Sequence, residues 1–281
     1  MAAPAPAPAH VVNGDSIAQT LRQSALGGEV IVWRDVLHEG RVPPGDAATV
    51  RRARGAFLAE AGMGSRDEIL TGLEAADSAL LAALASGRET VLWFEHDLHD
   101  QLQLIQILTR IASHPARSSA RLITVDRYPG HAHFAGLGEL SADELETLWP
   151  ARSAIPAGAF DAAARAYETL RGADPAALAR VAFEPLPGLP YLAAALRRLL
   201  EERPWSGPGP GRSERQILAA VAAGARTPAK VFAATWQMEE APYMGDTWLW
   251  RRIDELAGGE RPLLARVAGR LELTPEGRAA L

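Results

Sequence analysis

Three corners in the N-terminal half gather acidic, histidine, arginine and hydroxyl side chains: Asn13-Gly14-Asp15-Ser16, Arg34-Asp35-Val36-Leu37-His38-Glu39 and Glu95-His96-Asp97-Leu98-His99-Asp100. In the first, an Asp15 or Ser16 cap would leave helix amides facing a crevice, where they and the helix dipole favour an anion such as phosphate beside Asn13. The alternative is an ordinary cap after a tight Asn-Gly turn. In the second, Arg34 suits bidentate capture of a carboxylate or phosphate, with Asp35 beside it. His38 next to Glu39 has the parts of an oriented general base. The competing reading is a surface loop in which Arg34 and Asp35 pair with each other or with the sheet end.

The third corner is the densest. Asp97 is placed to cap the helix that Leu98 begins, with Asp100 at its third position. Glu95, His96 and Asp100 then remain for acid/base work. A metal would draw on His96, Asp100 and His38 as nitrogen and oxygen donors. No recognised zinc or iron spacing such as HExxH occurs, so metal-free proton transfer by His96 or His38 stands beside the metal reading. No P-loop or dinucleotide fingerprint is present, and the cofactor is left open.

These corners need a scaffold that brings distant residues together. From His10 to Arg127 short apolar runs alternate with helical stretches, the pattern of consecutive βα units. Strands are expected at His10–Asn13, Glu29–Arg34, Thr90–Glu95 and Arg121–Asp126. Helices are expected at Ser16–Ser24, Thr49–Ala61, Arg66–Ser86 and Leu98–Ser113. The runs Val30-Ile31-Val32-Trp33 and Val91-Leu92-Trp93-Phe94 are apolar on both sides, as in a parallel sheet covered on both faces. The expectation is α/β: a Rossmann-like open parallel sheet of about four strands over residues 10–128, with loops meeting at the strands' carboxyl ends.

A helical region is expected over 129–203, with a capping box at Ser141 and Glu144 and helices at Phe160–Arg171, Pro175–Phe183 and Leu189–Glu202. A Pro/Gly linker spans 204–212. Beyond it, over 213–281, helices at Ser213–Ala223, Thr227–Gln237 and Asp246–Leu256 precede Leu263–Val267, a Gly269-Arg270 turn, Leu271–Leu273 and a helix opened by Thr274-Pro275-Glu276. That order resembles a winged-helix module. Residues 204–281 hold ten basic and nine acidic side chains, which argues against a nucleic-acid footprint. Trp236, Trp248 and Trp250 suggest instead an apolar face packed on the first domain, on a second copy of the chain or on a partner.

The 281 residues, 48% of them hydrophobic, can bury one or two cores, and the net charge of −5 offers no broad surface for nucleic acid or anionic membrane. Residues 1–9 read as a disordered Ala-Pro tail without the features of a signal peptide. No run approaches the roughly 20 apolar residues of a membrane span, and the expected compartment is the cytoplasm. There is no cysteine, so thiolate and disulfide chemistry are excluded. Of 29 basic residues only Lys230 is a lysine.

The stretches Val12–Ser16, Trp33–Gly40 and Trp93–Leu104 together resemble a bacterial family known as domain of unknown function eighteen thirty-five. The resemblance covers about residues 10–127 and rests on three separated motifs. The helical middle and Met244-Gly245-Asp246-Thr247 look like that domain's usual C-terminal companion. Two positions depart from the family pattern: Gly40-Arg41-Val42-Pro43 sets its proline late, and His99 stands where an aromatic such as Tyr is usual. The resemblance implies that the three corners form one site and supplies no chemistry. The leading expectation is an enzyme of transfer or hydrolysis on a small anionic, phosphorylated or nucleotide ligand. The rival is a ligand-sensing regulator whose winged-helix-like part contacts DNA or protein.

Overall fold

The computed structural model describes residues 6–131, 134–172, 174–202 and 209–281. Most of the Ala-Pro tail, the first part of the Pro/Gly linker, and His133 therefore lie outside the described residues.

In chain order the first elements are β1 (Ala9–Val12), α1 (Asp15–Gln23), β2 (Glu29–Val32), α2 (Ala47–Glu60), α3 (Arg66–Ala85), β3 (Thr90–Glu95), α4 (Leu98–Ile111) and β4 (Ala120–Val125). There follow α5 (Ala142–Leu148), β5 (Ser153–Ala154), α6 (Ala157–Arg171), α7 (Pro175–Phe183) and α8 (Leu192–Leu200). The chain is α/β, with a mostly parallel sheet in the order β2-β1-β3-β4-β5. Only β5 runs antiparallel, pairing Ser153 and Ala154 with Leu122 and Arg121 of β4. Four strands were expected and five are present, because a two-residue strand is too short to leave an alternating pattern.

Strand order decides where a ligand can sit. The chain leaves β1 to one side for β2 and then crosses to the other side for β3, and both strands pair with β1 in parallel. The loops after β1 and β3 therefore diverge, and a crevice opens at their carboxyl ends. Side chains alternate between the faces of each strand. Val12, Val32, Trp93 and Ile123 form one row across the sheet and pack with Ile17 and Leu21 of α1 and Leu145 of α5. On the other side α3 packs against β1, β2 and β3, and α4 is sandwiched between β3 and α6. That explains why α4 buries Gln101, Gln103, Leu104 and Ile107 as well as the expected stripe of Leu98, Leu102, Ile105, Leu108 and Ile111. His10 is also buried in this sheet. It accepts from Trp93 Nε1 at Nδ1 (3.1 Å) and bonds the Gly27 carbonyl through Nε2 (2.8 Å), and burial lowers its pKa, so it is a neutral structural imidazole.

The chain divides into two compact units, the first ending at Leu196 and the second beginning at Arg197. Most of the expected helical middle belongs to the first unit. In the second, α9 (Arg212–Ala222), α10 (Pro228–Trp236) and α11 (Asp246–Leu256) precede the antiparallel pair β6 (Leu264–Val267) and β7 (Arg270–Leu273) and a short α12 (Pro275–Ala279). Ile217, Val221, Val231, Ile253, Leu264 and Leu271 form its core. Of the three tryptophans, Trp248 is buried, Trp236 is half-buried and Trp250 is 44% exposed.

The second corner is held by a residue outside it. Arg54 of α2 has no exposed surface, and Asp35 is 2% exposed. Arg54 Nε donates to Asp35 Oδ1 at 2.8 Å, and its terminal nitrogens donate to the carbonyls of Val36 and Glu39, both at 2.7 Å, and more weakly to that of Arg41. One guanidinium thus ties the loop to α2. Gly40 completes the bend at φ +68, where a Cβ would strike the Phe57 ring. Removing the cation from a buried pair leaves an uncompensated carboxylate, which costs about 3–5 kcal/mol. Arg54→Ala is expected to lower unfolding free energy by that amount in urea denaturation; a loss under about 1 kcal/mol would show that the pair does not hold the loop.

Candidate functional site

The third corner forms as a strand running directly into a capped helix. Asp97 is the N-cap of α4 and accepts from the Asp100 amide at 3.0 Å. Asp100, at the third helical position and fully buried, turns back across the switch point. Its Oδ2 accepts from the Glu95 amide at 2.5 Å and its Oδ1 from Asn13 Nδ2 at 2.6 Å. The carboxyl ends of β1 and β3 are therefore tied by one side chain. Gln101 adds a bond from Nε2 to the Glu95 carbonyl at 2.5 Å.

Glu95 is closed off from the other side. The loop after β4 returns so that the Leu137 amide donates to Glu95 Oε1 at 2.5 Å. Gly136, at φ +138, lies so close that a Cβ would meet Glu95 Oε2 at 2.5 Å. The same loop is fastened to α1, where Ser16 Oγ donates to the Gly138 carbonyl at 2.8 Å.

Ligand oxygens of Glu95, Asp97 and Asp100 lie within 4.8 Å of one another, all three residues buried. Burial raises the Glu95 pKa well above its ordinary range, helped by the charges of Asp100 and Asp97. Burial likewise lifts Asp97 to about 6 against the opposing amide bond from Asp100. It also lifts Asp100 well above the usual range, reinforced by the Asp97 charge and opposed by the Glu95 amide and Asn13. Buried without a cationic side chain among these partners, Glu95 and Asp100 keep their protons at neutral pH, Glu95 as donor toward Asp97, which at about 6 is the charged member of the cluster. The same oxygens are the donor set for one hard cation. His96 and His38 do not join them: among the described residues no metal-ligating group includes either histidine. The shell of His96, Asp100 and His38 expected for a metal does not assemble.

The histidines diverge. His96, half-buried, packs edge-on against Tyr191 with ring centroids 5.9 Å apart. His38 packs edge-on against His99 at 5.4 Å. His99 also meets Gln103 Nε2 at 3.2 Å, and that amide reaches the carbonyls of Trp33 and Asp35. Burial lowers the His99 pKa to about 4, against the pull of the Asp35 charge and the Asn13 backbone, so the ring is neutral. His99 is the second residue of α4. Its position one turn ahead of Gln103 was the signal that it faces β2 and the second corner. In the Pro-Gly loop His131 bonds Glu144 Oε1 at 3.1 Å.

A crevice of about 510 Å³ opens beside these groups, lined by Asn13, Gly14, Asp15, Arg34 and His99 on the sheet side and by Leu58, Met63, Glu68 and Ile69 on the helix side. Here the expected cap is corrected. The N-cap of α1 is Gly14, in extended backbone and without any side-chain cap bond, because Asp15 and Ser16 are already helical. Among the described residues no side chain caps the first-turn amides of α1 at this end. Asp15 instead pairs with Arg34, and both are largely exposed. Arg34 and Asp35 do not pair with each other: Asp35 belongs to Arg54, and its other oxygen takes Gln106 Nε2 at 3.3 Å. Glu39 is nearly buried, its carbonyl bound by Arg54.

Among the described residues no helix is long and apolar enough to cross a membrane. Comparison with protein-family models gives no match, and comparison with curated protein sequences gives none either.

The carboxyl cluster sets a pH dependence whose sign can be worked out. A carboxyl with a raised folded pKa binds more protons folded than unfolded, so stability falls as pH climbs toward that value. His99 and His10, with lowered values, act oppositely, but only below their ordinary 6.5, above which they are neutral in both states. Above pH 6.5 the slope therefore belongs to Glu95 and Asp100. Melting temperature is expected to fall from pH 6.5 to 8.5, and Glu95→Gln, which keeps an acceptor for the Leu137 amide, is expected to flatten that fall and raise the pH 8 value by about 3 °C or more. A parallel decline in both proteins would mean that Glu95 is ionised in the fold.

Proposed function

We propose that the crevice at the β1/β3 switch point binds a small anionic ligand, phosphorylated or nucleotide-like, and that the chain is an enzyme of transfer or hydrolysis on it. The observation that carries this reading is the N-terminus of α1, left without a side-chain cap at the mouth of a crevice that also holds Arg34. Helix amides and dipole attract an anion there. Arg34 can join it at little cost, since its present pair with Asp15 is exposed and screened. Asn13, Asp15, Ser16 and Asp35 frame the subsite, the last two through the loops they fasten.

The proton chemistry falls to the His38 and His99 side, with Glu39 adjoining. A neutral His99 beside an incoming anion gains basicity, so that binding itself draws a proton onto the ring. Glu95 and Asp100 hold the crevice's geometry from beneath, and His96 stands toward Tyr191. The resemblance to domain of unknown function eighteen thirty-five supports treating the corners as one site and leaves the chemistry to these residues. For the regulator reading, the helix-helix-helix-hairpin order of the second unit fits a winged-helix-like module. Its α11 arginines are engaged by acids, Arg251 with Glu255 and Arg252 with Glu214 and Glu255, which argues against phosphate contacts from that helix.

Titration calorimetry against a panel of sugar phosphates and nucleotides, in buffers of different ionisation enthalpy at pH 6, tests the proposal. At least one compound is expected to bind with net proton uptake. Arg34→Ala is expected to weaken it about tenfold or more, and His99→Ala to abolish the uptake. No binding across the panel, or binding indifferent to both changes, would remove the crevice from consideration.

A further inference from the structure

A second cavity, of about 290 Å³, lies within the first unit among α2, α3, α4 and α6. Its lining is rich in cations: Arg34, Arg51, Arg110 and Arg171 face it, against Asp35 and Asp77. The Asp35 charge is matched by buried Arg54 and the Arg34 charge by Asp15, which leaves Arg51, Arg110 and Arg171 against Asp77. Asp77 is shared. Arg110 takes it bidentately, Nε to Oδ1 at 2.6 Å and a terminal nitrogen to Oδ2 at 3.0 Å, while Arg51 reaches Oδ2 at 3.0 Å. Two guanidiniums on one carboxylate leave a positive charge over. Arg171 adds another: it bonds the carbonyls of Pro43, at 3.0 Å, and Gly45, and its one acidic partner among the described residues, Glu168, is 73% exposed.

Two residues of the lining also hold unsatisfied polar atoms. The Arg51 Nε–H and the Thr109 hydroxyl are buried without a hydrogen-bond partner among the described residues. Leaving a guanidinium donor out of contact with water and protein is unfavourable, and a native fold that tolerates it at a cavity wall has a use for the donor. Trp33 and Tyr167 supply apolar walls, and Gln106 anchors the Trp33 ring through Nε1 at 2.7 Å.

We propose that this cavity is a second binding site, separate from the crevice, for a compact dianion held by Arg51, Arg110 and Arg171 with the Thr109 hydroxyl as a further contact. The planar guanidinium fork suits phosphate and carboxylate oxygens alike, and the volume has room for a small dianion. The ligand completes a charge balance that the protein leaves open. Arg34 and Leu73 border both this cavity and the crevice, so the two ligands share a wall.

The test is titration calorimetry of the full chain with inorganic phosphate and, separately, with succinate, at low and moderate salt. At least one is expected to bind one-to-one, weakening as salt rises. Arg51→Gln keeps the bidentate Arg110–Asp77 pair, so the fold survives while affinity drops about tenfold or more. Ala76→Leu, which fills the cavity without touching a charge, is expected to block binding. His99→Ala, a residue of the crevice alone, is expected to leave it unchanged. Absence of binding by both probes would overturn the proposal, as would affinity unmoved by Arg51→Gln and Ala76→Leu. Loss of binding in His99→Ala with retention in the other two would place the anion in the crevice and likewise reject the second site.

Discussion

Asp100 is the joint on which the first unit turns. A parallel sheet supplies no hydrogen bond between the loops that leave β1 and β3, since those loops part at the switch point. A carboxyl group bridges them, with one oxygen on the Asn13 side chain and the other on the Glu95 amide. The price is burial of three acids within 4.8 Å. That burden is met by protons on the cluster and by amides aimed at it, from Leu137 onto Glu95 and from Asp100 itself onto Asp97. An uncapped α1 at the crevice mouth follows from the same arrangement. With Asn13 drawn to Asp100 and Ser16 to the Gly138 carbonyl, neither side chain stays to cap the helix between them.

What the sequence made legible was local. β3 and the start of α4 can be read from an apolar run ending in Glu-His-Asp-Leu, because an Asp one residue before a helix bonds an amide three residues on. The Ser141 and Glu144 capping box follows the same rule. Partners fixed by the tertiary fold were out of reach. Nothing near Asp35 marks Arg54, 19 residues later, as its counter-ion, since an arginine in an amphipathic helix reads as surface. The Asp97 cap was visible, whereas the return of Asp100 to β1 joins residues 87 apart. β5 escaped because its two residues take their conformation from β4 alone.

The near-exclusive use of arginine acquires physical meaning in this context. Arg54 bonds one carboxylate and three carbonyls from a single buried plane, and Arg110 grips Asp77 with two parallel bonds. A lysine offers three donors from one point and could reproduce neither. Such sites also retain their charge when buried, because guanidinium does not give up its proton where an ammonium would. A fold that buries cations in this way accumulates positive potential inside unless acids match it. The first unit matches it fully at Arg54 and only in part around Asp77.

The divergence of the histidines narrows where proton transfer can occur. Residues 96 and 99 share one corner, yet the α4 helix begins between them. His96 is thereby left on the strand side toward Tyr191, and His99 is carried round to His38. The buried carboxyls beneath are covered by Gly136 and Leu137, so a ligand at the α1 N-terminus meets the His99 imidazole and the exposed Arg34–Asp15 pair before it meets the cluster. That ordering suits an anion. A negatively charged group held next to Asp100 would face the like charge of the cluster, whereas one held by α1 and Arg34 is separated from it by the Asn13 amide. The carboxyl cluster and the anion subsite can therefore occupy one end of the sheet because each keeps its own charge on its own side of Asn13.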